Sequence, residues 1–210
     1  SYIIRFIMTL CLLCLCLLVF QNLDFQLKRI LHNFKYLTIW GLFSTTITFI
    51  TSIFTKSYNK NSVMQGWKWH ILFFEVSTVM ELIITPFYWL LLYPRNHQHH
   101  NRIDYSIHAL PIIFLTIELY ISNIPFAGRH FMAFNLPICL IYMLLNMYIT
   151  LIYSPYYPFI TYRSAVGTIV PILLTFSTFL IFKCLELITR KKFKKSKLQY
   201  IYRIIDGTAE

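Results

Sequence analysis

Two side chains in this sequence have the types and placement for acyl-transfer chemistry. Thr38 lies in Phe34-Lys35-Tyr36-Leu37-Thr38-Ile39-Trp40, and His108 in Asp104-Tyr105-Ser106-Ile107-His108-Ala109-Leu110-Pro111. A hydroxyl is a poor nucleophile until a base takes its proton, and a histidine within hydrogen-bond reach is the usual base. Each residue sits just inside the start of an apolar block. Threonine is common in membrane helices and often bonds back to its own backbone, so the residue types nominate the pair without proving it. Trp40, Trp89 and Tyr105 are candidates to line the pocket, and interfacial anchoring accounts for such aromatics equally well. Glu118 follows His108 by ten positions, about 15 Å along a helix, too far to orient that ring directly. It needs another role, either as a hydrogen-bonded structural carboxyl or as part of a site.

Other groups invite different chemistry. Charged residues within apolar blocks are costly and face a protein interior or a watery cavity; here they are Glu75, Glu81, Glu118 and Glu186, with His70 and His108 near block ends. Glu75, Glu81 and Glu118 suggest a polar path for a transporter or channel, but no block shows a recurring polar stripe and no inverted repeat is visible. His97, His99 and His100 fall in Asn-His-Gln-His-His-Asn; a His-rich loop can bind metal, yet acidic and cysteine partners are missing nearby, and a solvated loop is expected. The Cys11–Cys14 spacing imitates a redox or zinc pair, but flanking leucines favour buried small apolar residues. Thr45, Thr46 and Thr48 read as packing. Neither a metal nor a cofactor is expected.

The elements that must position these groups are membrane spans. The 210 residues are 57% hydrophobic and 13% charged, against roughly 45–50% and 25% in soluble domains. Apolar runs near 2–20, 34–54, 69–93, 105–125, 131–153 and 165–188 are long enough to cross a bilayer, and they lack the alternation of barrel strands. The expected fold is an all-α membrane protein, a bundle of about six transmembrane helices over residues 1–190, followed by a basic tail over 191–210. The first run has no clear cleavage site after it and is expected to be retained. The stretch Gln21 to Lys35 reads as a polar, basic breaker, as do Lys56 to Lys68 and Pro94 to Asp104. Most of the positive residues behind the net charge of +11 lie between apolar blocks or after the last, the densest run being Arg190, Lys191, Lys192, Lys194, Lys195 and Lys197, so they read as topology signals. This leaves no room for an ordered nucleic-acid surface. By the same bias the C-terminus is cytoplasmic, and the N-terminus joins it when the span number is even.

At these residues the chain resembles the androgen-induced-gene and androgen-dependent TFPI-regulating protein family of multispanning membrane proteins. Lys35-Tyr36-Leu37-Thr38 is similar to that family's Lys-Phe-Leu-Thr stretch. His108 with Glu118 ten positions on, and Phe114 and Ile117 between, is similar to its histidine segment. Tyr157-Pro158-Phe159 and Glu186 resemble features at the family's last span. The chain has Asp104-Tyr105 where the family has an Asn-His pair, and Ala109-Leu110 where two threonines follow the histidine. The resemblance implies a threonine hydrolase of lipid esters, in particular fatty acid esters of hydroxy fatty acids, with Thr38 as nucleophile and His108 as base. No cofactor would be used. Partners would be membrane lipids, the ester substrate and other membrane proteins, in an endomembrane such as the endoplasmic reticulum or in the plasma membrane. A non-catalytic subunit or lipid-binding scaffold of the same descent is the alternative.

Overall fold

The computed structural model describes residues 2–54, 65–96, 102–122, 124–157 and 159–194. Among them all regular structure is helical, and six helices are long and apolar enough to cross a membrane: Tyr2–Asn22, Leu37–Phe54, Lys68–Leu92, Arg102–Ile121, Gly128–Ile152 and Ala165–Lys192. The chain is an all-α integral membrane protein, with span ends within a few residues of those expected. His97, His99 and His100 lie outside the described residues, as does the tail beyond Lys194.

Two compact units divide the chain, Ser1–Ser122 and Asn123–Glu210. The first holds α1 (Tyr2–Asn22), α2 (Leu27–Asn33), α3 (Leu37–Phe54), α4 (Gln65–Phe87), α5 (Tyr93–Asn96) and α6 (Arg102–Ile121). Helix α1 is apolar on most of its surface, with Arg5 and Thr9 as polar exceptions in its first turns. It buries Met8, Leu12 and Leu15 while Ile3, Phe6, Leu10, Leu13 and Leu17 stay exposed, a distribution that suits lipid outside and protein inside. The chain then turns sharply through Asp24 and Phe25, each with φ near 51°. Helix α2 follows, within the stretch expected to be a breaker. Polarity alone does not forbid a helix: no Pro or Gly interrupts this segment, and its Lys and Arg residues are good helix formers.

Helices α1, α3, α4 and α6 alternate in direction. Cys16 Sγ meets Thr46 Oγ1 at 3.4 Å and Phe20 lies 5.7 Å from Phe43, so α1 runs antiparallel to α3. Thr48 and Ser77 hydroxyls meet at 3.0 Å between α3 and α4. Phe49 and Phe114 pack edge to face at 6.3 Å, joining α3 to α6.

Helix α4 passes into a π turn, Tyr88–Leu92, before α5; a second π turn, Phe131–Asn135, lies in the other unit. Each ends two residues before a proline, Pro94 and Pro137. Proline lacks the N–H that would reach back four residues and its ring crowds that carbonyl. Here those carbonyls belong to Leu90 and Ala133, inside the two turns, where the ladder widens. The bonds run from Tyr93 N to Tyr88 O and from Leu136 N to Phe131 O.

The second unit comprises α7 (Gly128–His130), α8 (Leu136–Ile152) and α9 (Ala165–Lys194). Its core includes Phe126 against Phe182 at 5.4 Å and Phe131 against Phe179 at 5.4 Å, and Thr189 Oγ1 accepts from the Phe126 N–H at 3.2 Å. Helix α9 carries the chain four residues into the region read as a tail. One feature corrects the sequence reading: Asn135, Tyr142, Asn146 and Thr150, all buried, recur at helical spacing on one face of α8 and its approach. A polar stripe therefore exists. Its members are isolated among leucines and isoleucines in sequence, which hides it until the face is assembled.

Candidate functional site

Thr38 is half-buried in the first turn of α3. It lies on the face that carries Leu42, Thr45 and Phe49, which are 1%, 0% and 0% exposed, because steps of four and three residues keep side chains on one stripe. Trp40, nearby, donates its indole N–H to the Phe34 carbonyl at 2.6 Å. That bond ties the start of α3 to the preceding turn.

His108 is buried near the start of α6. Its ring stacks on Tyr88 with centroids 3.5 Å apart and an 11° interplanar angle, and its carbonyl accepts from the Thr85 hydroxyl at 3.1 Å. Trp89 stacks on Tyr105 at 5.9 Å, with Tyr93 edge-on to Tyr105 at 5.8 Å. Trp89 and Tyr105 thus join an aromatic cluster beside the histidine, formed where α4 widens into its π turn.

Helix α4 serves as a ruler for the two candidates. Going down α3, Thr48 meets Ser77 and Ser44 approaches Met80. Gly41 lies against Glu81 and Ile84, where a Cβ would come within 2.6 Å of Ile84 Cδ1. Continuing one turn brings Thr38 level with Thr85–Tyr88, the segment that touches His108. Both residues lie near the starts of their helices, α3 and α6, and both helices pack along α4. They are not hydrogen-bonded: among the described residues the Thr38 hydroxyl makes no such bond.

Glu118 belongs to another constellation. Arg5 grips it through Nη2 to Oε1 at 2.7 Å and Nε to Oε2 at 3.1 Å, a bidentate, charge-assisted pair. His70 Nε2 lies 3.8 Å from Oε1, in ion-pair rather than hydrogen-bond range, while its Nδ1 lies 3.1 Å from the Thr48 carbonyl. Glu118 therefore does not serve His108, and this pairing is the role the sequence left open. Nothing in the sequence marks Arg5, since a lone arginine one turn into an apolar block looks like a cation reaching back to the interface.

Glu75 is fully buried on α4. Glu186, in the second unit, bonds Lys183 at 2.7 Å and pairs with Arg190 at 2.7 Å, both on its own helix. Glu81 is different. It is fully buried, and neither carboxyl oxygen has a hydrogen-bond partner among the described residues. The Thr45 hydroxyl, also fully buried, is likewise unpartnered there. Among the described residues no cluster of His, Cys, Asp or Glu is placed to hold a metal ion.

Comparison with known proteins returns nothing similar: no family model, curated protein or solved structure matches the chain.

Proposed function

We propose that the protein is a membrane-embedded hydrolase of lipid esters, with Thr38 as nucleophile and His108 as base. What supports this reading is the register of α3 along α4: Gly41 lies against Glu81 and Ile84, and one further turn of α3 leads from there to Thr38 and, on α4, to Thr85 and Tyr88, which touch His108. The substrate class follows from the setting and from the motif order that resembles the family named above. An ester with two long acyl arms, such as a fatty acid ester of a hydroxy fatty acid, partitions into lipid and reaches a site between apolar helices laterally, while water enters from the end of the helices.

In the first step His108 takes the Thr38 proton as Oγ attacks the ester carbonyl. The tetrahedral intermediate collapses to an acyl-threonine, and the leaving alkoxide receives the proton from the imidazolium. Water, activated by the same ring, then releases the fatty acid and restores the hydroxyl. Because the hydroxyl and imidazole are not bonded in the resting structure, substrate must draw them together, as is common in unliganded enzymes.

The test is hydrolysis of a branched fatty acid ester by purified protein in detergent or liposomes. Thr38→Ala should abolish it, and His108→Ala should lower it by about 10²–10⁴-fold, the usual contribution of a general base, with protein levels unchanged. No turnover of any lipid ester, together with no labelling by a serine/threonine-directed fluorophosphonate, ends this reading.

A second reading, a non-catalytic membrane subunit or lipid-binding scaffold, is favoured by the missing Thr38–His108 bond and by Asp104-Tyr105 before the histidine. It requires stable co-purification with other membrane proteins that Thr38→Ala leaves intact. For either reading we place the protein in an endomembrane or the plasma membrane with a cytoplasmic C-terminus, to be checked by protease protection of a C-terminal tag.

A further inference from the structure

We propose that Glu81 is the hydrogen-bond donor that stabilises the oxyanion formed at Thr38, acting as a neutral carboxylic acid. The proposal rests on the hydrolase reading and supplies the component that reading lacks: acyl transfer requires a donor aimed at the carbonyl oxygen as it becomes charged.

Three observations converge on Glu81. It sits on the α4 face that also presents Thr85 and Tyr88, at spacings of four and seven residues, and both of those residues touch His108. Its carboxyl lies against Gly41, one turn along α3 from Thr38. A Cβ at Gly41 would come within 3.2 Å of Glu81 Cδ, so the glycine is what lets the carboxyl reach the α3 backbone. Glu81 is fully buried with both oxygens unpartnered among the described residues. An unpaired carboxylate inside a membrane protein is far more costly than the neutral acid, and the neutral acid carries an O–H.

In the reaction Glu81 keeps its proton throughout. As Thr38 Oγ bonds to the ester carbon, the carbonyl π electrons move to oxygen, and the Glu81 O–H donates a hydrogen bond to that oxyanion. When the carbonyl re-forms and the alkoxide leaves, the bond weakens again. In acylation the proton transferred is the one His108 carries from Thr38 to the leaving group, and in deacylation it is the one His108 carries from water to the Thr38 oxygen.

The experiment compares wild type, Glu81→Gln and Glu81→Leu on a branched fatty acid ester, together with difference infrared spectroscopy of wild type against Glu81→Gln at neutral pH. Glu81→Leu should lower kcat by about 10²–10³-fold, the effect of deleting one oxyanion donor, with KM within about threefold. Glu81→Gln, whose amide still donates, should stay within about tenfold of wild type. The difference spectrum should contain the carbonyl stretch of a protonated carboxylic acid. Should Glu81→Leu not accumulate, Glu81→Met carries the same comparison. An active wild type whose Leu or Met variant is equally fast, or a spectrum showing a carboxylate instead, overturns the assignment while leaving the Thr38–His108 reading intact. A wild type inactive on every ester overturns both.

Discussion

Glu118 and Glu81 are both fully buried carboxyls in the first unit, yet one is gripped by an arginine and the other has no hydrogen-bond partner among the described residues. They lie at different levels of the unit, Glu118 beside His70 and Glu81 beside Gly41. At the Glu118 end, Arg5 bonds both oxygens of Glu118 while His70 reaches the Thr48 carbonyl and lies 3.8 Å from Glu118, contacts that link α1, α3, α4 and α6. At the Glu81 end, the polar groups Thr38, Thr45 and Glu81 are left unspent beside a stacked histidine. A carboxyl satisfied by its arginine specifies structure, whereas a carboxyl left unsatisfied in an apolar interior points towards chemistry.

The comparison breaks most visibly at Arg5. Arg5→Leu should destabilise the protein by about 3–5 kcal/mol, because Glu118 is then buried without its counter-charge; thermal or denaturant unfolding in detergent measures this. Arg5→Leu with Glu118→Leu should recover most of the loss, since an apolar pair of similar volume often replaces a buried ion pair without penalty.

Gly41→Ala should have the next largest effect, about 1–3 kcal/mol from overpacking against Ile84 and Glu81. Pairing it with Glu81→Ala in a double-mutant cycle should show coupling of at least ~0.5 kcal/mol, and additivity would place the carboxyl elsewhere. Tyr88→Leu follows at about 0.5–1.5 kcal/mol for the lost ring pair with His108. Smallest should be Glu81→Leu, within about 1 kcal/mol of wild type or more stable, because no partner is orphaned by it. A loss as large as that of Arg5→Leu would erase the distinction between the two ends.

The spans were legible because a bilayer imposes length and apolarity on each segment separately. Short-range geometry escaped the sequence where one residue acts at a distance along the chain: Pro94 and Pro137 create π turns upstream of themselves, and α2 forms in a stretch whose polarity suggested a breaker. Pairing was less legible still. Glu118 stood out as a charge in an apolar block, but its partner lies 113 residues away on a helix whose choice of neighbour is a tertiary fact. Glu81 was visible as a charge too; its lack of a partner was not, since that depends on three helices at once. For Thr38 and His108, the sequence places each near the start of an apolar block, while contact between them depends on side-chain placement that no spacing encodes.

The most direct test is to trap the acyl-enzyme. Purified protein incubated briefly with an activated medium-chain fatty ester, then digested and analysed by mass spectrometry, should carry the acyl group on Thr38. The adduct should be absent from Thr38→Ala and strongly reduced in His108→Ala. An adduct on another residue, or none under conditions where the ester is consumed, would contradict the account.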